Sequence, residues 1–358
     1  MPPWTQIELL TELEPVVGRE LDRHLRAARE WFPHQYVPWS DGRNFDGVLD
    51  GDAWDPSQSR VSEVARTALV VNLLTEDNLP SYHRDIYESF GTDGAWGTWI
   101  GRWTAEEGRH GIAIRDYLLT TRAVDPVNLE RERMVHMTQG FASSYDLDML
   151  HTVAYVSFQE LATRISHRNT GRYTEDPLCE QLLARIAQDE NLHMVFYRNV
   201  LQAALELAPN ETMRAICDVV STFQMPGNTI EGFTRRSVQI AMAGIYDLRI
   251  HRDEVLAPIL RSWTSGIGSG CPGRGSRRAS SSAATSRSWI GKRAGSRRDA
   301  PRVRLARSNA GESRQITPKF RSDWHRRVQL AQAVLRSLSR NADCTRSPRI
   351  RHEVRGEP

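Results

Sequence analysis

Two short stretches decide the architecture: Trp103-Thr-Ala-Glu-Glu-Gly-Arg-His110 and Asp189-Glu-Asn-Leu-His193. Each contains Glu-x-x-His, pairing Glu107 with His110 and Glu190 with His193. Residues i and i+3 share one face of a helix, so each pair can offer a carboxylate and an imidazole to one ion. Upstream of each pair a lone glutamate stands at nearly the same distance. Glu76, in Leu74-Thr-Glu-Asp-Asn-Leu-Pro80, precedes Glu107 by 31 residues, and Glu160, in Ser157-Phe-Gln-Glu160, precedes Glu190 by 30. One helix pair is therefore written twice: a lone Glu, a turn, then Glu-x-x-His. A single Glu-x-x-His is ordinarily a solvated helix face; two copies at matched spacing reverse that reading. Glu160 weighs most, because Tyr155-Val-Ser-Phe-Gln159 and Leu161-Ala-Thr163 around it are core-type residues. A buried carboxylate is costly unless it is paired or bound to metal.

Two such pairs, packed as a four-helix bundle, turn four carboxylates and two imidazoles inward. That is the ligand set of ferritin-like di-iron and di-manganese carboxylate proteins. The candidate ligands are Glu76, Glu107, His110, Glu160, Glu190 and His193. Carboxylate and imidazole without thiolate suit iron or manganese, with zinc also compatible. Each paired Glu follows a second acid, Glu106 or Asp189. Metal-bound histidines usually donate their free N–H to a carboxylate, so Asp189 is expected on His110 and Glu106 on His193.

Outward from these motifs, residues 1–263 read as helical almost throughout. Patterning with a 3.6-residue period marks segments near 59–89, 93–122, 127–140, 146–173, 175–207, 209–223 and 229–246. Turn signals fall at 91–94, 125–126, 169–171, 209–210 and 226–227. Thr5-x-x-Glu8 has the form of a capping box in front of Leu9, Leu10 and Leu13, and Pro15 is expected to kink or end that helix. Residues 31–58, with Pro33, Pro38 and Pro56, read as a long surface loop. The expected fold class is all-α: a ferritin-like four-helix bundle with flanking helices.

The chain has 358 residues, a mean hydropathy of −0.52 and a net charge of +3 that averages two unlike parts. Residues 264–358 carry 22 basic against 6 acidic side chains, leaving 25 basic against 38 acidic in residues 1–263. The acidic body is expected to be one domain. The basic Ser/Gly/Arg-rich remainder, with amphipathic character only at 328–338, is expected to be disordered. Its composition also matches an out-of-frame reading of a GC-rich gene. No apolar run reaches the 18–20 residues of a membrane span, and the N-terminus lacks the pattern of a secretory signal. Four scattered cysteines, Cys179, Cys217, Cys271 and Cys344, form no CxxC pair. A cytoplasmic protein is the expectation.

At these segments the sequence resembles the soluble acyl-[acyl-carrier-protein] desaturases, especially their actinobacterial branch. The likeness covers about residues 5–263 and includes Trp31-Phe-Pro-His-Gln-Tyr-Val-Pro-Trp39, Leu74–Tyr82, Trp103–Leu118, Val156–Thr170 and Asp189–Tyr197. Phe158-Gln-Glu160 and Ile165-Ser-His167 are its most specific parts. The resemblance implies the six candidate ligands hold two Fe ions per chain. It implies that Thr163 assists oxygen chemistry, and that Trp31, with Asp189 and His110, forms an electron-entry relay. It further implies a homodimer that desaturates an acyl chain on acyl carrier protein, using dioxygen and a ferredoxin-type electron donor. Gly108 departs from the Asn usual there, and nothing after residue 264 resembles the family's C-terminal segment. An acidic carrier calls for a basic patch, for which Arg164, His167, Arg168 and Arg172, or Arg235 and Arg236, are candidates.

Three rival readings stand beside this one. The first is another di-iron protein: a hydroxylase, a ferroxidase, or a ribonucleotide reductase small subunit using Tyr82, Tyr117 or Tyr155. The second treats the basic tail as a nucleic-acid-binding arm, although it lacks aromatic interleaving or a recognition motif, so nucleic acid is not an expected partner. The third is an inactive scaffold that keeps its ligands.

Overall fold

Thr5 caps the first helix, α1 (Gln6–Ala27): its side chain accepts from the Glu8 N–H, and the Glu8 carboxylate accepts from the Thr5 N–H at 2.9 Å. This is the reciprocal box expected of the pattern. The helix does not end at Pro15 but runs through it for 22 residues. Pro15 lies on the exposed face, away from the buried stripe of Leu9, Leu13, Val17, Leu21 and His24. The carbonyl that loses its N–H partner can therefore be solvated, and the helix survives. This computed structural model describes residues 4–141 and 148–267, with side chains placed as far as Trp263.

After α1 the chain crosses the surface, with 3-10 turns at Pro33–Gln35, Trp39–Asp41 and Pro56–Gln58. Arg122 gathers this loop. Its guanidinium donates to Gln58 Oε1 and to the carbonyls of Asn44, Asp52 and Ala53 at 2.8–3.2 Å, and lies 4.0 Å from the centroid of the Phe45 ring.

The helix expected over 59–89 is two helices, α2 (Glu63–Asp77) and α3 (Leu79–Phe90). Pro80 has no N–H for the Glu76 carbonyl and its ring would crowd that carbonyl, so α2 stops and the chain breaks at Asn78. Glu76 is thereby placed in the last turn of α2. There follow α4 (Gly94–Thr120), α5 (Pro126–Gln139), α6 (Met149–Tyr173), α7 (Pro177–Leu207), α8 (Pro209–Thr222) and α9 (Phe233–Met242). A short turn, α10 (Leu248–Ile250), leads through π-helical His251–Leu256 into α11 (Ala257–Ile267). The chain does not turn at 169–171, since α6 continues to Tyr173 and the reversal falls at Glu175, whose φ is +56°. Gly171 serves helix approach instead. A Cβ there would stand 3.1 Å from the Glu180 Cα and 3.2 Å from the Leu183 Cβ on α7.

Packing closes a ring of four: α2 on α4, α4 on α7, α7 on α6, and α6 back on α2. Alongside lie α1, against α4 and α7, and α8, against α6 and α7. The fold is an all-α, ferritin-like four-helix bundle with flanking helices. Among the described residues the only β feature is an isolated bridge between Phe45 and Asp52. One apolar cluster contains Trp99, Phe158, Phe196 and Trp263, and a second contains Leu69, Leu73, Ile114 and Leu183. Each buried Leu, Ile or Phe side chain contributes about 1.5–3 kcal/mol on burial, so the buried polar residues are carried by a large apolar framework. Among the described residues no helix is long and apolar enough to cross a membrane. Residues 264–267 continue α11; the rest of the basic stretch, including 328–338, lies outside the described residues.

Candidate metal centre

The four bundle helices bring the six ligand-type residues into one layer. Glu76 comes from α2, Glu107 and His110 from α4, Glu160 from α6, and Glu190 and His193 from α7. All six are buried, four of them with no exposed surface at all. Glu76, Glu107, His110 and Glu190 offer atoms lying within 4.8 Å of one another, and so do Glu107, Glu160, Glu190 and His193. The two groups share Glu107 and Glu190.

Unpaired atoms mark the space between them. Both Glu190 oxygens, Glu107 Oε1, Glu160 Oε2 and His193 Nδ1 are buried without a hydrogen-bond partner. His110 Nδ1 approaches Glu190 Oε1 at 3.1 Å and His193 Nδ1 approaches Glu107 Oε1 at 2.9 Å, but not along hydrogen-bond directions. Atoms so arranged fit cations, since an orphaned buried carboxylate is expensive. Electrostatics agree. Burial, with Glu107 and Glu190 close by, pushes Glu76 well above the usual carboxylate range, and burial with Glu107 and Glu160 does the same to Glu190. Burial works against Glu107 too, but His110 and His193 outweigh it and hold this carboxyl low.

Behind each histidine stands the second acid of its partner motif. Glu106 Oε2 accepts from His193 Nε2 at 2.8 Å, and Asp189 Oδ2 lies 3.4 Å from His110 Nε2. Asp189 also accepts from the Trp31 indole at 2.7 Å, from Arg109 at 2.8 Å, and from Arg185. Burial would raise the Asp189 pKa, yet His110, Trp31 and Arg185 lower it to about 2. Trp31 is almost fully buried, with its ring stacked at 6.3 Å on His110 and Arg109 over its outer face. On the other side, His24 from α1 reaches Glu106 at 3.0 Å and stacks on His193. His24, Glu106 and His193 could in principle hold an ion of their own. Arg102 already pairs with Glu106, and its positive charge disfavours a cation there; within this group Glu106 is hydrogen-bonded to His193, while neither ring nitrogen of His24 has a hydrogen-bond partner.

Thr163 hydrogen-bonds to the Gln159 carbonyl and amide, both at 3.0 Å. With Glu76 it borders a cleft of about 1420 Å³ whose walls include Val71, Phe223, Met225, Phe233, Ile240 and Leu260. A smaller cavity of about 60 Å³ touches Glu76, Glu107, Tyr82 and Trp103. Of the three tyrosines considered, Tyr117 bonds to Asp176 and borders neither cavity, while Tyr82 and Tyr155 both border the smaller cavity with Glu76 and Glu107, the Tyr155 hydroxyl being bonded to the Gln224 carbonyl.

Besides His24, Arg109 and Arg185, two neighbours of the carboxylates escaped the sequence reading. Trp103 donates to Glu160 Oε1 at 3.0 Å, a contact signalled only by its place one turn before Glu107. His167, a candidate for the basic surface, is fully buried and bonded to Glu76 at 2.8 Å. Burial, with His110 nearby, lowers its pKa to about 3, so it supplies no surface charge. Arg168 pairs with Glu254 and Arg236 with Glu132, which partly neutralises the two basic patches considered.

A family profile described as "Fatty acid desaturase" matches residues 5–281. Over 266 residues the chain is 54% identical to the acyl-[acyl-carrier-protein] desaturase DesA1 of Mycobacterium tuberculosis, covering 72% of this chain and 78% of that one. It is 39% identical over 239 residues to DesA2 of the same organism, and 26% identical over 299 residues to the chloroplastic stearoyl-[acyl-carrier-protein] 9-desaturase 3 of Arabidopsis thaliana, which cover 66% and 77% of this chain and 86% and 73% of theirs. The X-ray structure of DesA2 superposes with a TM-score of 0.61 at 34% identity, covering 71% of this chain and 94% of that one. By profile, sequence and fold together, the chain belongs to the fatty acid desaturase family.

Proposed function

We propose that this protein is an acyl-[acyl-carrier-protein] desaturase that holds two Fe ions on Glu76, Glu107, His110, Glu160, Glu190 and His193. The observation that carries the reading is the pair of overlapping ligand groups, sharing Glu107 and Glu190, that opens past Glu76 and Thr163 onto a largely apolar cleft. Four ionised carboxylates leave a charge that two divalent cations would balance. The relatives' names supply the carrier-bound acyl chain as substrate.

When bound, the metal pair supplies reductive activation of dioxygen. In the net reaction two hydrogens leave adjacent methylenes, dioxygen and two electrons are consumed with two protons, and an alkene and two waters result. The chain's own residues do the rest. Glu106 and Asp189 hold His193 and His110 by their outer nitrogens, fixing ring orientation. Apolar walls around the cleft receive the acyl chain and exclude water from the oxidation. Trp31, bonded to Asp189 and stacked on His110, lies on the path from the surface loop to the metal layer and serves electron entry, while Thr163, which lines the same cleft as Glu76, supplies a hydroxyl for oxygen chemistry. A ferredoxin-type donor, a homodimer and a cytoplasmic location belong to the same proposal. So does a division into a desaturase domain, 1–263, and a basic extension, 264–358.

The test is metal analysis of the purified protein beside Glu160→Ala, with turnover of acyl carrier protein loaded with saturated chains. About two irons per chain, lost in the variant, and an unsaturated product from the parent are expected. Iron without product at any chain length would move the assignment to another oxygen-activating reaction; no bound iron would overturn it.

A further inference from the structure

The lone carboxylates Glu76 and Glu160 occupy matching places in the repeated helix pair, yet they are held differently. Glu76 Oε1 lies 2.8 Å from Nε2 of His167, on α6 seven residues beyond Glu160. His167 Nδ1 has no partner, so towards an ionised, metal-holding Glu76 the ring donates from Nε2. Glu160 Oε1 accepts instead from the indole N–H of Trp103 at 3.0 Å. In each case one oxygen accepts this hydrogen bond and the other faces the ligand group: Glu76 Oε2 lies 3.9 Å from His110 Nδ1, and Glu160 Oε2 lies 3.5 Å from His193 Nδ1. The surroundings also differ. Glu76 borders both cavities, whereas Glu160 is fully buried and lines neither.

We propose that His167 and Trp103 are positioning residues that make the two metal positions inequivalent, His167 setting the position of Glu76 and His110 and Trp103 that of Glu160 and His193. This rests on the two-metal reading above. Each donor fixes the orientation of its carboxylate through one oxygen, so removing it loosens one position and leaves the other intact. The position at Glu76, which meets the cleft, is the one that exchanges metal first.

Metal-free full-length protein titrated with Co(II) alone, followed by visible absorption, tests this, with far-UV circular dichroism to check that each variant is folded. The parent is expected to fill two positions with separable affinities. His167→Leu should weaken one step by about 10–100-fold and leave the other unchanged. His167→Gln, whose amide can still donate, should recover part of that loss and provides the reading if the leucine variant does not fold. Trp103→Phe should weaken the other step. The proposal is overturned if the parent's two steps are identical, if either variant weakens both steps equally, or if neither variant changes any step. A parent that binds no Co(II) or iron overturns the two-metal reading itself, a result distinct from these.

Discussion

Replacing Glu190 with leucine should stabilise the metal-free protein while abolishing its ability to hold a full metal complement. Glu190 is fully buried on α7 and neither carboxylate oxygen has a donor. Leaving such a group unsatisfied costs about 1–3 kcal/mol, and an apolar side chain of similar volume removes that cost. At about 2–4 °C per kcal/mol for a domain of this size, a gain of about 2 kcal/mol raises the midpoint of metal-free unfolding by about 4–8 °C. The pH dependence supplies a second signature. The folded-state pKa of Glu190 is raised above its usual 4.5 by burial, then by Glu107 and Glu160. The folded protein thus keeps a proton that the unfolded chain releases, so its favourable contribution is complete below pH 4.5 and is lost as pH rises towards the folded-state pKa. Metal-free parent protein should lose stability over that window, and Glu190→Leu should lose less, with Glu76 still contributing. The assay is differential scanning calorimetry of chelator-treated parent and variant at several pH values, repeated after adding Fe(II) without oxygen. Metal at about 100 times its Kd should add about 2.7 kcal/mol to the parent and less to the variant. A metal-free variant that melts below the parent at neutral pH would refute the reasoning, because it would show Glu190 stabilising the fold without metal.

Three further outcomes are expected. Trp31→Phe removes the indole N–H from Asp189 while keeping an aromatic ring beside His110; metal content should hold, and turnover driven by a reduced donor should fall by about tenfold or more in a steady-state assay. Thr163→Val keeps side-chain volume but deletes the hydroxyl bonded to Gln159, so metal content and melting temperature should change little while unsaturated product per dioxygen consumed declines. Gly171→Ala places a methyl 3.1 Å from the Glu180 Cα and should cost about 1–3 kcal/mol in urea unfolding by forcing α6 and α7 apart.

The six candidate ligands were legible because their signal is local. Helical periodicity places i and i+3 on one face whatever the partner, and a repeat of spacing needs no coordinates. The second acids Glu106 and Asp189 were legible for the same reason, since each adjoins a ligand in sequence. Pro15 misled because its effect depends on which face it occupies: on the solvent side of α1 it costs a bond that water can replace.

Composition, repeat and spacing by themselves determined an all-α bundle, the six carboxylate and imidazole residues that the bundle gathers and the charge division along the chain, all properties of order within one helix or of simple counting. Only the tertiary structure decided that Glu107 and Glu190 are shared between the two groups, that His24 and Trp31 stand behind opposite histidines, and that His167 serves Glu76 rather than the surface. Those contacts join residues far apart along the chain, 91 positions for His167 with Glu76 and 158 for Trp31 with Asp189. They arise from how helices rotate and slide against one another, which the apolar packing of the whole bundle sets and no local pattern encodes.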